Sequence, residues 1–169
     1  AFYLNRTNRS GVIKGGVIGG REQSGLYKID ARFNKDALIK KIRAIAKEKG
    51  RIVLYNLDAM DFLSNGVLDH YYKTFVNFDP PYVMKGSQLY KNAFSEQDHK
   101  DLYKLISKCK RKWIVTYDIC PLIRELYKNH RGAEIDINYS ASNSGKAREY
   151  IFFSNNLFLP EGIELTNQS

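Results

Sequence analysis

The residues best placed to do chemistry are Asp79, Pro80, Pro81 and Tyr82, which follow the apolar, β-prone run Phe75-Val76-Asn77-Phe78 without a break. A buried strand ending in an acid and an aromatic presents both at its carboxyl end, where open α/β sheets build their sites. Two consecutive prolines fix φ twice and remove two N–H donors, so the main chain after Asp79 is stiff and rich in unpaired carbonyls. A carboxylate, a rigid carbonyl and an aromatic face suit an exocyclic amino group on a nucleobase. Each acceptor takes one N–H, the lone pair localises on nitrogen, and the ring stacks on a base flipped out of its duplex. The alternative is a strand closed by a Pro-Pro turn with the acid as a helix cap. Phe75–Phe78 leading in and Tyr82 following weigh toward a site.

The flanks narrow the chemistry. Asp79-Pro80-Pro81-Tyr82 resembles the catalytic motif of amino-group methyltransferases that use S-adenosylmethionine, a motif that RNA enzymes carry in close variants. Phe2-Tyr3-Leu4-Asn5-Arg6-Thr7-Asn8-Arg9-Ser10-Gly11 resembles the "YLNR…G" segment of the Dam-like (D12-class) DNA adenine-N6 methyltransferases. Asn56-Leu57-Asp58-Ala59-Met60-Asp61-Phe62, Thr116-Tyr117-Asp118 and Asn138-Tyr139-Ser140…Arg148-Glu149 follow in that family's order, so the resemblance spans nearly the whole chain.

The resemblance implies methyl transfer from S-adenosylmethionine to N6 of adenine in double-stranded DNA, and membership among DNA-modification (restriction-modification) enzymes. Asp79 and the Pro80 carbonyl would accept the hydrogens of N6, Pro81 would stiffen the motif and Tyr82 would stack on the flipped adenine. Asp58, Ala59 and Asp79 would line the cofactor, with Asp58 holding its adenine and Asp61 and Phe62 nearby. Arg9, Ser10, Val12 and Lys14 stand where such enzymes touch or wedge into the target duplex. The family's Tyr-Asn pair is Arg9-Ser10 here, so no recognition sequence carries over. The family's Phe-x-Gly-x-Gly cofactor loop has no counterpart in the chain. The resemblance places it upstream of Ala1, in a missing amino-terminal segment or a second chain. Two other readings stay open: an RNA amino-methyltransferase, and a non-catalytic DNA-binding fragment or partner subunit.

Several elements must position these residues. Asn34 is a candidate N-cap for a helix over 34–50, with Leu38, Ile42, Ile45 and Ala46 on one face, Lys40, Lys41, Arg43, Lys47 and Lys49 on the others, and Gly50 at its end. Arg51–Leu57 alternates and is β-branched, which predicts a short strand. The acid after it, Asp58, is placed equally well to accept from an adenine amino group or to cap the next helix. Val83–Phe94 reads as a loop able to cover a base. Ser95-Glu96-Gln97-Asp98 is a capping-box pattern for a helix through Cys109 with Leu102, Leu105, Ile106 and Cys109 buried, closed by Lys108, Lys110, Arg111 and Lys112. Trp113–Tyr117 reads as a strand, Asp118 as the cap of a short helix opened by Pro121, and Glu134–Tyr139 and Glu149–Phe153 as a strand pair. The loop joining that pair ends in Lys146 and Arg148, a hairpin tip or a DNA-backbone clamp. The order predicts an α/β fold: part of a Rossmann-like methyltransferase sheet, mostly parallel, with an antiparallel C-terminal hairpin strand.

Residues 1–33 are polar and glycine-rich and open on a β-like Phe2-Tyr3-Leu4. Gly15-Gly16-Val17-Ile18-Gly19-Gly20 lacks the strand before and helix after that a nucleotide fingerprint needs, so a DNA-contacting loop is the better reading. This divides the chain into a target-recognition segment, 1–33, and a catalytic portion, 34–169. The 169 residues carry a net charge of +9, with 43% hydrophobic and 27% charged residues, ordinary for a globular domain. Residues 1–60 hold 13 Lys/Arg against 5 Asp/Glu, which points to a polyanion docking on that part. A solvated basic helix face accounts for several of these lysines. No apolar run has the length of a membrane span and no signal-peptide pattern opens the chain, so the expected location is cytoplasmic. Cys109 and Cys120 read as reduced core thiols, and no metal site is expected.

Overall fold

The computed structural model describes residues 1–12, 15–84, 94–138, 146–162 and 165; for 138, 146 and 147 it describes the backbone alone. The chain forms two compact units, Ala1–Asn56 and Leu57–Ser169.

In the first unit the expected β-like opening is instead a short helix, α1 (Phe2–Thr7). Thr7 Oγ1 donates to the Tyr3 carbonyl and the Asn8 amide to the Leu4 carbonyl, closing a turn that local bonds favour over an unpaired strand. A 3-10 turn, Arg9–Gly11, follows, with Ser10 at φ 53°. The glycine-rich stretch is stitched back onto this start: Ile18 N–H donates to the Thr7 carbonyl and Arg9 N–H to the Gly16 carbonyl. Gly19 lies at φ 87°, and a Cβ there would sit 2.7 Å from the Tyr27 carbonyl oxygen, so the loop closes only around glycine. The Gln23 amide ties it further by donating to the Ile18 and Gly20 carbonyls.

The helix α2 (Lys35–Lys47) forms as expected, and the Asn34 side chain accepts from Ala37 N–H. None of its residues is buried, so its apolar stripe is presented rather than packed. The strand expected at Arg51–Leu57 is absent: Ile52 has extended backbone, but residues 52–56 pair with no strand among the described residues. Leu54 is 89% exposed. β-branched residues supply the propensity, and only a ladder partner makes a strand.

The second unit opens on α3 (Ala59–Ser64) and a 3-10 turn, Val67–His70. It continues through β1 (Phe75–Phe78), α4 (Glu96–Lys108), β2 (Lys112–Asp118), α5 (Pro121–Leu126), β3 (Arg131–Asn138) and β4 (Lys146–Phe153). The sheet order is β1-β2-β4-β3. The β1–β2 pair is parallel, joined through α4, while β2–β4 and β4–β3 are antiparallel. This corrects the expectation of a mostly parallel sheet. One helical crossover yields one parallel pair; the long β3–β4 hairpin inserts its second strand beside β2, and 51–57 adds none.

The capping box forms as read, with Ser95 and Asp98 each bonding the other's backbone amide. Leu102 and Ile106 of α4 meet Trp113, Val115 and Tyr117 of β2, Ile123 of α5, and Tyr127 and Phe152 in one aromatic-rich core. Leu105 and Cys109 are only half-buried, and both cysteines are free thiols. No helix among the described residues is long and apolar enough to cross a membrane.

Candidate functional site

β1 delivers Asp79 at the carboxyl end of its parallel pairing with β2. There a cavity of about 440 Å³ opens, lined by Leu57, Asp58, Ala59 and Phe62 on one side and Val76–Pro81, Phe94 and Leu102 on the other. Structure thus brings together the two acids singled out from sequence, Asp58 and Asp79, with Ala59, Pro80 and Pro81. Asp79 is exposed and its carboxylate has no hydrogen-bond or ion-pair partner among the described residues, so its acceptors are open to a ligand. Asp58 is the N-cap of α3: its Oδ1 accepts from Met60 N–H at 2.8 Å. That bond uses one lone pair and holds the carboxylate still, leaving Oδ2 without a hydrogen-bond partner among the described residues.

Tyr82 is half-buried, its ring centroid 6.5 Å from that of Tyr117 and tilted by 39°. Its hydroxyl donates to Glu149 Oε2 at 2.7 Å. The main chain beyond it is held by Asp118, whose Oδ1 accepts from Val83 N–H at 3.0 Å and whose Oδ2 accepts from Met84 N–H at 2.6 Å. This corrects the reading of Asp118 as a helix cap. The N-cap of α5 is Cys120, without a side-chain bond, because two residues separate the acid from the helix start. Asp118 and Glu149 are 5% and 2% exposed. Both stood in sequence segments that resemble the family, but nothing in their spacing shows that they reach the loop after Pro81; that is a product of strand register.

Behind Asp118, His99 Nδ1 lies 3.2 Å from the Tyr117 hydroxyl. Burial holds the His99 imidazole below its usual range, partly offset by the Asp118 charge, and burial raises the Tyr117 phenol. Both groups are therefore neutral near pH 7.

The residues read as contacting DNA are distributed over both units. Arg9 and Ser10 are exposed on the 3-10 turn and Val12 is half-buried just after it. Lys14 lies outside the described residues, as does the side chain of Lys146, which starts β4. Arg148 donates to Glu134 across the β3–β4 hairpin at 2.7 Å, so its charge is already partly compensated. The loop read as covering a base falls mostly on residues 85–93, and the hairpin tip on 139–145, both outside the described residues. Charge divides sharply: the first unit holds 13 Lys/Arg against 4 Asp/Glu, the second 14 against 14. The whole surplus of +9 belongs to Ala1–Asn56. Among the described residues no cluster of His, Cys, Asp and Glu is set to hold a metal.

The family model for the D12 class N6 adenine-specific DNA methyltransferases matches residues 2–141. The chain belongs to this family. The match takes in the 3-10 turn with Arg9, the Asp58 cap, the whole of Asp79–Tyr82 and Asp118 of this D12 methyltransferase. It ends just before β4 with Glu149. No curated protein matches the chain.

Proposed function

We propose that the chain transfers a methyl group from S-adenosylmethionine to N6 of an adenine flipped out of double-stranded DNA. The observation that carries this reading is the Asp79 carboxylate, without a partner among the described residues, beside Pro80 in the wall of a cavity that is apolar apart from Asp58, Asn77 and Asp79 itself. The cavity fits an adenosyl group in chemistry. Phe62, Leu63, Val76 and Phe78 offer apolar faces to a purine, Asp58 Oδ2 offers an acceptor for an amino group, and the Asp79 carboxylate offers a counter-charge to a sulfonium. When bound there, S-adenosylmethionine supplies an electrophilic methyl group.

The rest of the chemistry belongs to the protein. Asp79 and the Pro80 carbonyl accept the two N6 hydrogens, which turns the amino group pyramidal and exposes its lone pair. Pro80 and Pro81 hold the two acceptors without a competing donor, so no reorganisation is needed as the reaction proceeds. Tyr82 stacks on the extruded base. The basic first unit attracts the duplex, with Arg9, Ser10, Val12 and Lys14 as the contacting residues. The sheet of Leu57–Ser169 belongs to a Rossmann-like methyltransferase fold, and 1–33 is the target-recognition segment.

Titration calorimetry of the chain with S-adenosylmethionine, followed by transfer of labelled methyl groups to unmethylated genomic DNA, tests the reading. Micromolar cofactor binding and methyl groups recovered on N6 of adenine are expected; label appearing on RNA instead, or on neither, refutes it. Duplex affinity should fall steeply with salt, by roughly three to five powers of ten between 50 and 200 mM if six to ten phosphates are contacted. A salt-independent affinity would sink the role given to the basic unit.

A further inference from the structure

The β2–β4 register sets Asp118 directly opposite Glu149. Residues opposite one another in an antiparallel pair point their side chains to the same face, and like charges there repel. Here both carboxylates are also buried. Two such groups side by side are retained at a cost unless each finds donors. Three of their donors come from one stretch of chain. Val83 and Met84 give their amides to the two oxygens of Asp118, and Tyr82 gives its hydroxyl to Glu149. Three successive residues after Pro81 are thus gripped from two strands, the main chain by β2 and the side chain by β4.

This grip reaches the chemistry because of what lies between. Pro80 and Pro81 each have φ fixed by their rings, so little torsional freedom separates a clamped Tyr82 from Asp79. With no N–H on either proline, the amides of Val83 and Met84 are close at hand for a carboxylate to hold. Neither acid is needed for helix capping, since α5 begins at Pro121 behind an uncapped Cys120.

We propose that Asp118 and Glu149 are positioning residues for methyl transfer. Asp118 fixes the spacing of the Asp79 carboxylate and the Pro80 carbonyl by anchoring the backbone that follows them, and Glu149 sets the plane of the Tyr82 ring. This rests on the assignment of Asp79–Tyr82 to the target adenine.

The test uses the full chain and two readouts, one of which needs no activity. Hydrogen exchange at the Val83 and Met84 amides should quicken at least tenfold in D118A. D118N, which can keep only one of the two acceptors, protects against loss of the fold and should give an intermediate rate. Methylation of unmethylated genomic DNA should lose 10- to 100-fold in kcat in D118A and in E149A, with KM for DNA within about threefold, since a misplacement of 1 Å costs about 100-fold. E149Q, whose amide oxygen still accepts from the Tyr82 hydroxyl, should recover most of the rate. E149A in a Y82F background should lose little beyond Y82F alone. Unchanged exchange in D118A overturns the anchor, and altered exchange with an unchanged kcat overturns the positioning role. Additive losses in E149A and Y82F overturn the link between Glu149 and the ring. A wild-type chain that transfers no methyl group defeats the assignment of Asp79–Tyr82 instead, a failure that the exchange rates do not mimic.

Discussion

Asp79→Ala is expected to abolish methyl transfer while DNA affinity stays within about threefold of wild type. Removing one preorganised hydrogen-bond partner of a reacting group costs about 100- to 1,000-fold in kcat, and Asp79 is both an acceptor and the charge nearest the reacting amino group in the proposed site. The structure makes the experiment clean. Asp79 is exposed and makes no hydrogen bond or ion pair among the described residues, so its loss breaks none of the bonds seen there. Substitutions at such positions usually change stability by less than about 0.5 kcal/mol. A fall in rate therefore reports chemistry rather than unfolding, which an unchanged melting temperature verifies. Asp79→Asn should fall between the two, because its carbonyl oxygen accepts one N–H but carries no charge and its amide cannot accept. Labelled methyl transfer to unmethylated genomic DNA, alongside filter binding of a duplex, provides both numbers. An Asp79→Ala chain that methylates at the wild-type rate refutes the site.

What could be read from the sequence was whatever local chemistry decides. Asn34 and Ser95 start helices because their side chains meet backbone amides three residues on, whatever the rest of the chain does. The apolar alternation of Trp113, Val115 and Tyr117 is a strand in any α/β arrangement, and the four residues Asp79–Tyr82 stand out by composition alone. What could not be read depended on partners distant in sequence. Ile52, Val53, Leu54 and Tyr55 have the pattern of a strand, but a strand exists only where a neighbour completes its ladder. The sheet is less parallel than the element order suggests for the same reason, since spacing does not say which side of β2 receives the hairpin. Asp118 was legible as an acid near a helix start, whereas its true partners lie 34 and 35 residues earlier. Phe2-Tyr3-Leu4 looks β-like because Tyr, Phe and Leu favour a strand as isolated residues, and only the closing bonds of Thr7 and Asn8 turn this stretch into a helix.

Phe152→Ala is expected to be the most damaging single change to stability, and its origin lies in that hairpin. Phe152 is 1% exposed, its ring stacked on Tyr127 at 4.8 Å between centroids and 19° between planes, with Tyr150 at 5.5 Å. Register sets it opposite Gly132 on β3, and a Cβ at 132 would approach its Cδ1 to 2.6 Å. The ring occupies the space that a side chain at 132 would need. Truncating a buried Phe to Ala costs about 3–5 kcal/mol, a large share of the roughly 5–15 kcal/mol that holds a domain together. A fall in melting temperature of roughly 10–30 °C should follow. Gly132→Ala alone should cost about 1–3 kcal/mol through overpacking against the ring. The two changes together should cost less than their sum, because the Cβ at 132 then enters the space the ring vacated. Denaturant unfolding of the four chains measures that coupling, and strict additivity would refute the packing. The same strand carries Glu149 three residues before Phe152, so partial unfolding of the hairpin should also free Tyr82 and depress methyl transfer below the temperature at which the rest of the second unit melts.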